Sequence, residues 1–472
     1  MKQNIIFFVM IVSTLFLYGQ RIITAEEQKE ETDTLILNRV KEWQDLKFGF
    51  FAHWGIYATE ELVESWSICN EDWIDRKGVE YEPYKQWYWE LNKKFNPKNF
   101  DANKWAELAW ECGMRYFVFT SKHHDGFCMY DTKQTDYSVC GKDCPYSQNQ
   151  NNDIVKQVVE AFRSKGFWTG LYFSKADWHN KDYWSPMWAT PDRNVNYNID
   201  KHPEKWQRFC DFTYKQIEEI THNYGDIDIL WLDGGWIRPQ WSINSDEVRS
   251  WLGAYQRVQD IDMPKIAKIA RKGNEDMIIV DRSVGGKYEN YRTPEQSVPD
   301  SPLNYPWETC MTMGDSWSYV KNDNYKSTNT LIHTLVDVVC KGGNLLLNVG
   351  PDKEGNIPEP AIERMKEMGA WLRVNSKAIY STHPIAPYKS NNICFTESNN
   401  DKVFAIILLS NSTNLQNTYT FELSKDLAIG KKKVLGSKAE AKLSKEGEKY
   451  ILNFSNKDVE QNREKNALVV EL

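Results

Sequence analysis

Residues 205–235 read KWQRFCDFTYKQIEEITHNYGDIDILWLDGG. Within this stretch, Lys205–Thr221 has the apolar spacing of an amphipathic helix, and Ile227–Leu232 is a short apolar run typical of a buried strand. Asp233 and two glycines follow directly where the predicted strand ends. A helix that leads into a buried strand with a polar end is the repeating unit of an α/β fold.

The same alternation extends from Lys47 to about Tyr380. The other predicted strands are Lys47–His53, Tyr116–Thr120, Trp168–Phe173, Met277–Val280 and Asn344–Val349, and the other predicted helices are Asp101–Cys112, Asp153–Lys165, Asn329–Cys340 and Ala361–Val374. Strands that alternate with helices over this length predict a parallel sheet, and the length suits a (β/α)8-type barrel. A doubly wound open sheet is the alternative, although the first strand lacks the glycine-rich turn of its nucleotide-binding version.

The pattern changes after His383, where short apolar runs are separated by polar turns and no helical spacing occurs. These runs are Ile393–Phe395, Val403–Leu408, Thr418–Leu423, Lys433–Leu435, Tyr450–Phe454 and Ala467–Leu472. The sequence therefore predicts a barrel over residues 33–384 and an all-β sandwich over residues 385–472. This second domain has no distinctive site, which favours a structural role over sugar binding.

The N-terminus has the pattern of a secretory signal, with Lys2 followed by a mostly apolar run over Ile5–Tyr18 and then by charged residues. The run is too short for a typical membrane span, although an uncleaved anchor is the alternative reading. We expect residues 1–25, approximately, to be removed. The mature protein is then expected to be periplasmic or extracellular, without stable membrane insertion.

Composition indicates a soluble globular protein of 472 residues, 41% hydrophobic and 26% charged, with a net charge of −8. This charge balance gives no basic footprint for nucleic acid. The nine cysteines include one near pair, Cys140 and Cys144, which allows a local disulfide, although buried free thiols are the favoured reading. No cysteine spacing suggests zinc. The 14% of aromatic residues suits either a large core or a sugar site.

Polar or aromatic side chains follow five successive predicted strands. The segments are His53-Trp54-Gly55, Lys122–Phe127, Ser174–Trp178, Asp233–Trp236 and Asp281-Arg282. Functional groups of a barrel gather at the carboxyl ends of its strands, so this coincidence predicts an active site there. Asp233 suits a nucleophile or an electrostatic stabiliser, because the strand would hold it rigidly and the glycines would let a substrate approach closely. A helix cap or turn is the alternative.

A glycosidase would need a second carboxylate to protonate the leaving oxygen. Glu289, Glu295 and Glu308 are the candidates, and spacing alone does not choose among them. The adjacent His123 and His124 make a poor metal pair, because neighbouring side chains on an extended chain point to opposite sides. We therefore expect no metal and no cofactor, and histidines that bind sugar hydroxyls fit better.

At these residues the sequence resembles glycoside hydrolase family 29, the α-L-fucosidases. The matching segments occur in order over about residues 36–384 and are Lys47–Gly55, Ser121–Phe127, Gly170–Ser174, Trp231–Gly235, Tyr291–Gln296, Trp307–Cys310 and Gly342–Pro351. The resemblance implies a barrel with a C-terminal β-sandwich and a retaining, two-step mechanism on a fucosylated oligosaccharide or glycoconjugate. Members are either permissive or require a branched α1,3/4-linked fucose.

The resemblance also implies roles for individual residues. The nucleophile would be Asp233 and the general acid/base Glu295, with Glu289 and Glu308 kept as alternatives. The implied fucose pocket consists of His53, Trp87, His123, His124, Tyr172, Arg282 and Trp317. Fucose carries a methyl group in place of one hydroxymethyl, so its pocket needs an apolar aromatic patch beside polar groups. A glycosidase for a related sugar and a non-catalytic sugar-binding protein are the alternative functions.

Overall fold

The structure, a computed structural model, describes residues 27–71, 74–243, 257–410, 413–462 and 466–472. The predicted signal segment, residues 1–25, lies outside the described residues. Within the described ranges, no helix combines the length and the apolar character that a bilayer crossing requires.

Seven parallel strands form the first sheet. They are β1 Phe48–Ala52, β2 Tyr116–Lys122, β3 Trp168–Ser174, β4 Ile229–Asp233, β5 Ile278–Asp281, β6 Glu308–Thr312 and β7 Asn344–Val349, in the order β5-β4-β3-β2-β1-β7-β6. Nearly all of their residues are buried, as expected for a parallel sheet that is covered on both faces. Strand β6 was not predicted, because its run of Glu, Thr, Cys, Met and Thr is not apolar enough to read as a buried strand.

Residues 288–296, here called the closing segment, connect the two edges of this sheet. On one side the Asn290 amide donates to the carbonyl of Ile279 in β5 at 2.9 Å. On the other side the amides of Glu308 and Cys310 in β6 donate to carbonyls of the closing segment, at 2.8 and 3.2 Å. The sheet is therefore closed into a barrel through an irregular segment, which confirms the predicted (β/α)8-type fold and excludes an open sheet.

Helices surround the barrel between its strands. The longer ones are α1 Thr34–Leu46, α2 Tyr81–Trp89, α3 Ala102–Cys112, α4 Ile154–Ser164, α5 Pro203–His222, α6 Met263–Gly273, α7 Thr328–Cys340 and α8 Glu359–Asn375, and a one-turn helix lies at Gln240–Ile243. The side chains of Asp101 and Asp153 accept hydrogen bonds from the first-turn amides of α3 and α4, as N-cap residues do. Gly113 ends α3 with a φ of 98°, a backbone conformation that glycine adopts without a steric penalty.

The C-terminal strands form one antiparallel sheet of eight strands. They are β8 Thr382–Ser390, β9 Ile393–Ser398, β10 Val403–Leu408, β11 Thr418–Phe421, β12 Gly430–Val434, β13 Glu440–Glu446, β14 Lys449–Phe454 and β15 Ala467–Glu471, with a short helix α9 at Asn456–Gln461. β9 and β11 lie near opposite ends of the sheet, yet the rings of Phe395 and Phe421 are 4.9 Å apart. The sheet therefore folds over a core of its own, which confirms the all-β prediction.

Helices α7 and α8 carry the contact between the two units. The imidazole of His333 in α7 lies 3.0 Å from the carbonyl of Leu409 and 2.8 Å from that of Asn466. The indole of Trp371 in α8 donates to the carbonyl of Ala467 at 3.1 Å. Apolar residues of β9, β10 and β15 also join the hydrophobic core of the barrel, so the second unit is packed firmly against the first.

Candidate active site

A cavity of about 320 Å³ opens at the carboxyl ends of the barrel strands. Its walls combine carboxylates, imidazoles, guanidinium groups and aromatic rings, from Phe51, His53, Glu64, Trp66, His123, His124, Tyr172, Arg193, Trp231, Asp233, Gly235, Trp236, Arg282, Ser283, Glu295, Cys310 and Trp317. The polar residues that were expected to gather at the strand ends therefore do lie together around one cavity. None of these wall residues comes from the C-terminal sheet.

Asp233 is the last residue of β4, and both of its carboxylate oxygens are bound. Oδ1 accepts the amide of Gly234 at 2.7 Å and lies 3.4 Å from the Arg282 guanidinium, while Oδ2 accepts the Tyr172 hydroxyl at 2.9 Å. Burial alone would raise the pKa of Asp233, but the Arg282 cation and these hydrogen bonds outweigh it and hold the pKa at about 2. Asp233 is thus ionised at neutral pH.

Arg282 also contacts the carboxylate of Glu295, so one guanidinium joins two acids at the cavity. Their surroundings differ, because the Asp233 side chain is 16% exposed and that of Glu295 is 42% exposed. Glu295 belongs to the closing segment and faces solvent at the cavity. The site therefore has one enclosed carboxylate and one open carboxylate, linked by a shared cation.

The two alternative acids lie elsewhere. Glu289 is buried, accepts the amides of Ser283 and Gly285 at 2.8 Å each, and forms an ion pair with Arg292. Glu308 is fully buried inside the barrel. Neither lines the cavity, so of the three predicted acids only Glu295 can reach a ligand there.

Three donors surround the Glu308 carboxylate. The Tyr116 hydroxyl donates at 2.6 Å and the Trp231 indole at 3.2 Å, and the Tyr291 hydroxyl is 3.5 Å away. Burial raises the pKa of Glu308 to about 7. Because Trp231 lines the cavity, Glu308 supports the cavity floor from beneath.

His53 presents one ring nitrogen to the cavity as a hydrogen-bond acceptor. Its Nδ1 is 2.7 Å from Oδ1 of Asn348, an atom that only accepts, so Nδ1 carries the proton. The Asn348 amide is oriented in turn by donating to the carbonyl of Trp317 at 2.6 Å. Burial lowers the pKa of His53 to about 4, so the ring is neutral and Nε2 has a free lone pair.

His124 has the same arrangement through a different partner. The hydroxyl of Ser174 donates to the carbonyl of Ala176 at 2.9 Å and therefore accepts from Nδ1 of His124, at 2.7 Å. Burial lowers the pKa of His124 to about 4, and its Nε2 lies 3.8 Å from Oδ2 of Asp233. The neutral imidazole thus offers a second acceptor beside the carboxylate.

His123 lies on the same side as His124, contrary to the expectation that the two rings point apart. Their ring centroids are 4.2 Å from each other, and both rings line the cavity. The expectation assumed an extended chain, but β2 ends at Lys122 and the chain turns directly after it. Nδ1 of His123 is 2.5 Å from the hydroxyl of Ser65.

Trp87, which the resemblance placed in the pocket, lies on the outer face of α2. Its side chain is 37% exposed, and its ring contacts that of Tyr84 at 5.2 Å. Trp87 does not line the cavity, because its side chain points from α2 into solvent. The indole of Trp66 lines the wall instead.

Comparisons with known proteins agree with this geometry. A family model described as alpha-L-fucosidase matches residues 16–377. The chain belongs to the alpha-L-fucosidase family. It is 28% identical to an alpha-L-fucosidase of Dictyostelium discoideum, over 86% of this chain and 85% of that protein. It is 28% identical to the plasma alpha-L-fucosidase of Homo sapiens, over 74% of this chain and 71% of that protein.

Solved structures of family members share the fold. Alpha-L-fucosidase isoenzyme 1 from Paenibacillus thiaminolyticus superimposes with a TM-score of 0.74 at 27% identity, over 93% of this chain and 99% of that one. The Thermotoga maritima alpha-fucosidase in complex with fucose has a TM-score of 0.67 at 25% identity, over 94% of this chain and 97% of that one. This chain is thus similar to glycoside hydrolases of family 29 over nearly its whole length.

Several cavity residues lie outside the family motifs, and no sequence pattern marks them. Glu64, Trp66 and Arg193 belong to long irregular connections, where no strand end marks them. Glu64 is buried at a φ of 33°, a backbone conformation rare for a residue with a side chain, and accepts the amide of Ser318 at 3.1 Å. Burial raises the pKa of Glu64 to about 7.

Arg193 completes this side of the cavity. Its guanidinium contacts both carboxylate oxygens of buried Glu71, at 2.6 and 2.5 Å. It also lies 4.8 Å from the ring of Trp66 and 5.3 Å from that of Trp236. The ion pair thus holds two indoles of the cavity wall in place.

Proposed function

We propose that this protein is an exported, retaining exo-α-L-fucosidase that releases terminal α-L-fucose from fucosylated oligosaccharides or glycoconjugates. One observation carries the proposal: Asp233 is kept ionised although it is mostly buried, and Arg282 links it to a second, more exposed carboxylate, Glu295. A retaining glycosidase requires this division between an attacking carboxylate and a group that exchanges protons with solvent.

In the first step, Oδ2 of Asp233 attacks the anomeric carbon of fucose and the bond to the leaving oxygen breaks. Glu295 gives its proton to that oxygen, which requires it to leave its contact with Arg282. The product is a fucosyl ester on Asp233. In the second step, Glu295 takes a proton from water, the water oxygen attacks the anomeric carbon, and the Asp233 carboxylate is released.

Recognition of the sugar divides into polar and apolar parts. The free Nε2 lone pairs of His53 and His124 accept hydrogen bonds from sugar hydroxyls. The apolar part is the edge formed by Phe51 and Trp317, whose rings lie 5.9 Å apart on the cavity wall. A methyl group fits such an edge, whereas the extra hydroxyl of galactose would lose its hydrogen bonds to water there.

The two carboxylate roles are separable by azide rescue. With Asp233→Gly, azide takes the place of the nucleophile and attacks from the face opposite the leaving group, so the expected product is β-fucosyl azide. With Glu295→Ala, azide attacks the fucosyl-enzyme and the expected product is α-fucosyl azide. The anomer of each product is read by proton NMR with an activated aryl fucoside as substrate.

Glu289→Gln is the matched control, since it neutralises a nearby carboxylate that does not reach the cavity. It should hydrolyse the substrate without azide and form no azide product. Rescue of Asp233→Gly with α-fucosyl azide as product, or unaltered hydrolysis by that variant, would contradict the assignment. The rate of hydrolysis of an aryl α-L-fucoside should exceed that of the matched galactoside. A faster reaction with the galactoside would indicate that the pocket is built for another sugar.

The indole wall gives a second test. Trp66→Ala should raise KM for an aryl fucoside about tenfold or more, because a ring that lines the cavity is lost. Trp87→Ala, which removes an exposed indole on α2, should leave KM within about twofold of the wild-type value, as surface substitutions usually do. A larger increase in KM for Trp87→Ala than for Trp66→Ala would show that Trp87, and not Trp66, contributes to the pocket.

Export is supported by the apolar N-terminal pattern and by similarity to plasma alpha-L-fucosidases. Expression of the full chain followed by fractionation should place the enzyme outside the cytoplasm, with a new N-terminus near residue 25. Full-length protein retained in the cell membrane would instead support an uncleaved anchor.

A further inference from the structure

Two thiols meet where the barrel contacts the C-terminal sheet. Cys340 is the last residue of α7, and Cys394 lies in β9 of the sheet. Both side chains are fully buried, and their sulfur atoms lie within 4.8 Å of each other. This pair therefore spans the contact between the two structural units.

The carboxylate of Asp337 lies beside the thiols but is already neutralised. Lys341 and Lys389 each approach one of its oxygens, at 2.8 Å. Although Asp337, Cys340 and Cys394 offer three possible metal ligands, a cation there would have to displace two ammonium groups or lie beside them. The chemistry that these neighbours leave open is a reaction between the two sulfur atoms.

Cys140 and Cys144, the two cysteines that lie close together in the sequence, contact different groups. Sγ of Cys140 lies 3.4 Å from the side-chain oxygen of Asn152, whereas Sγ of Cys144 lies 3.3 Å from the carbonyl of Phe95. Each of these thiols has an oxygen partner of its own, as does Cys340, whose Sγ lies 3.3 Å from the carbonyl of Asp337. Cys340 differs from both because its neighbouring thiol, that of Cys394, belongs to the other structural unit.

We propose that Cys340 and Cys394 form a disulfide that links the barrel to the C-terminal sheet. The sulfur atoms must move from within 4.8 Å to bonding distance, about 2.05 Å. Each thiol loses a proton, a bond forms between the two sulfur atoms, and the two electrons reduce a disulfide-form oxidant to two thiols. An exported protein meets such oxidants, and catalysis at Asp233 takes no part in this step.

The bond forms before the contact between the units closes. The neighbouring Cys394 and burial raise the pKa of the Cys340 thiol, so the folded interface disfavours the reactive thiolate. Solvent and oxidant also lack access to both sulfur atoms there. Once formed, the bond closes the chain between residues 340 and 394, which limits the freedom of the unfolded chain and stabilises the fold.

Refolding the full chain in two redox buffers tests this inference. The protein is unfolded with denaturant and dithiothreitol, then refolded either in dithiothreitol or in a mixture of reduced and oxidised glutathione. Free thiols are alkylated in denaturant, and the products are identified by intact mass and peptide mapping. Oxidising refolding should leave two fewer alkylated cysteines, link the peptides of Cys340 and Cys394, and raise Tm by several degrees.

Serine variants separate this bond from general oxidation. Cys340→Ser and Cys394→Ser should each lose the linked peptide and the difference in Tm between buffers, while Cys112→Ser, at another buried cysteine, should keep both. Nine alkylated cysteines in wild-type protein refolded in the glutathione mixture would overturn the proposal. So would a link confined to other cysteines, such as Cys140 with Cys144.

Discussion

Strand β4 and the closing segment each supply one acid to the same cavity, but they hold it by different means. Asp233 ends a regular strand, and its backbone carbonyl accepts the Lys175 amide at 2.9 Å beyond the paired end of β3. Glu295 lies in an irregular stretch whose bridges to β5 and β6 are isolated. The enclosed acid is thus positioned by sheet register, and the open acid by tertiary contacts.

Replacing the acid of β4 should have the largest effect. Asp233→Asn keeps the size of the side chain but removes the attacking charge, so kcat/KM should fall on the order of 10⁴-fold or more for every fucoside. The measurement is hydrolysis of an activated and an unactivated substrate, with circular dichroism to show that the fold is kept. Activity near the wild-type level on either substrate would remove Asp233 from the chemistry.

Replacing the acid of the closing segment should depend on the substrate. Glu295→Gln should lower kcat/KM about 10²–10⁴-fold for a fucosyl-oligosaccharide, whose leaving oxygen needs a proton. The first step on a dinitrophenyl fucoside, which needs no proton, should be slowed far less. An equal loss on both substrates would mean that Glu295 does not act as the acid.

Removing the cation that joins the two regions should change the pH dependence. Arg282 offsets the burial that would otherwise raise the pKa of Asp233, and it holds that pKa at about 2. Because the proposed nucleophile must be ionised, Arg282→Gln should move the acidic limb of kcat/KM to higher pH, with activity lost as pH falls through the raised pKa. At neutral pH the loss should be on the order of 10²-fold.

Arg282→Lys is the matched control, since it retains a positive charge. Its acidic limb should lie between those of the wild type and of Arg282→Gln. An unchanged limb in Arg282→Gln would show that Asp233 does not depend on this cation.

Loosening the closing segment should have the smallest effect on turnover. Glu289→Gln weakens the ion pair with Arg292 and keeps an acceptor oxygen for only one of the amides of residues 283 and 285, which donate to separate carboxylate oxygens. We expect a loss of about 1–3 kcal/mol in the free energy of unfolding, because buried partners become less well bound. The value of kcat/KM should change less than tenfold, and a loss as large as that of Glu295→Gln would make Glu289 the acid.

The difference between the two regions also determines what the sequence could predict. Asp233 follows an apolar strand and precedes glycines, so local pattern alone located it at a strand end. The closing segment and β6 have no such pattern, since polar residues occupy buried positions there and Glu308 lies inside the barrel. Their conformation depends on hydrogen bonds to strands distant in sequence, which a single sequence does not reveal.

The residues that line the cavity differ in the same way, since some follow a strand end and others lie in long connections. His53, His123 and His124 follow strands β1 and β2 directly, and all three line the cavity. Trp66 lies in a long connection and reaches the wall only through packing, in part against Arg193. Trp87 lies outside the cavity because it is on the outer face of α2, and sequence spacing alone does not show which face of that helix is exposed.

The most direct test of the two-step mechanism is covalent trapping. A 2-deoxy-2-fluoro-fucosyl fluoride slows breakdown of the fucosyl-enzyme, and mass spectrometry of the digested protein locates the sugar. We expect one added fluorofucosyl group, in the peptide that contains Trp231-Leu232-Asp233 and on the Asp233 carboxylate. An adduct on Glu295 or another residue, or turnover with inversion and no adduct, would contradict it.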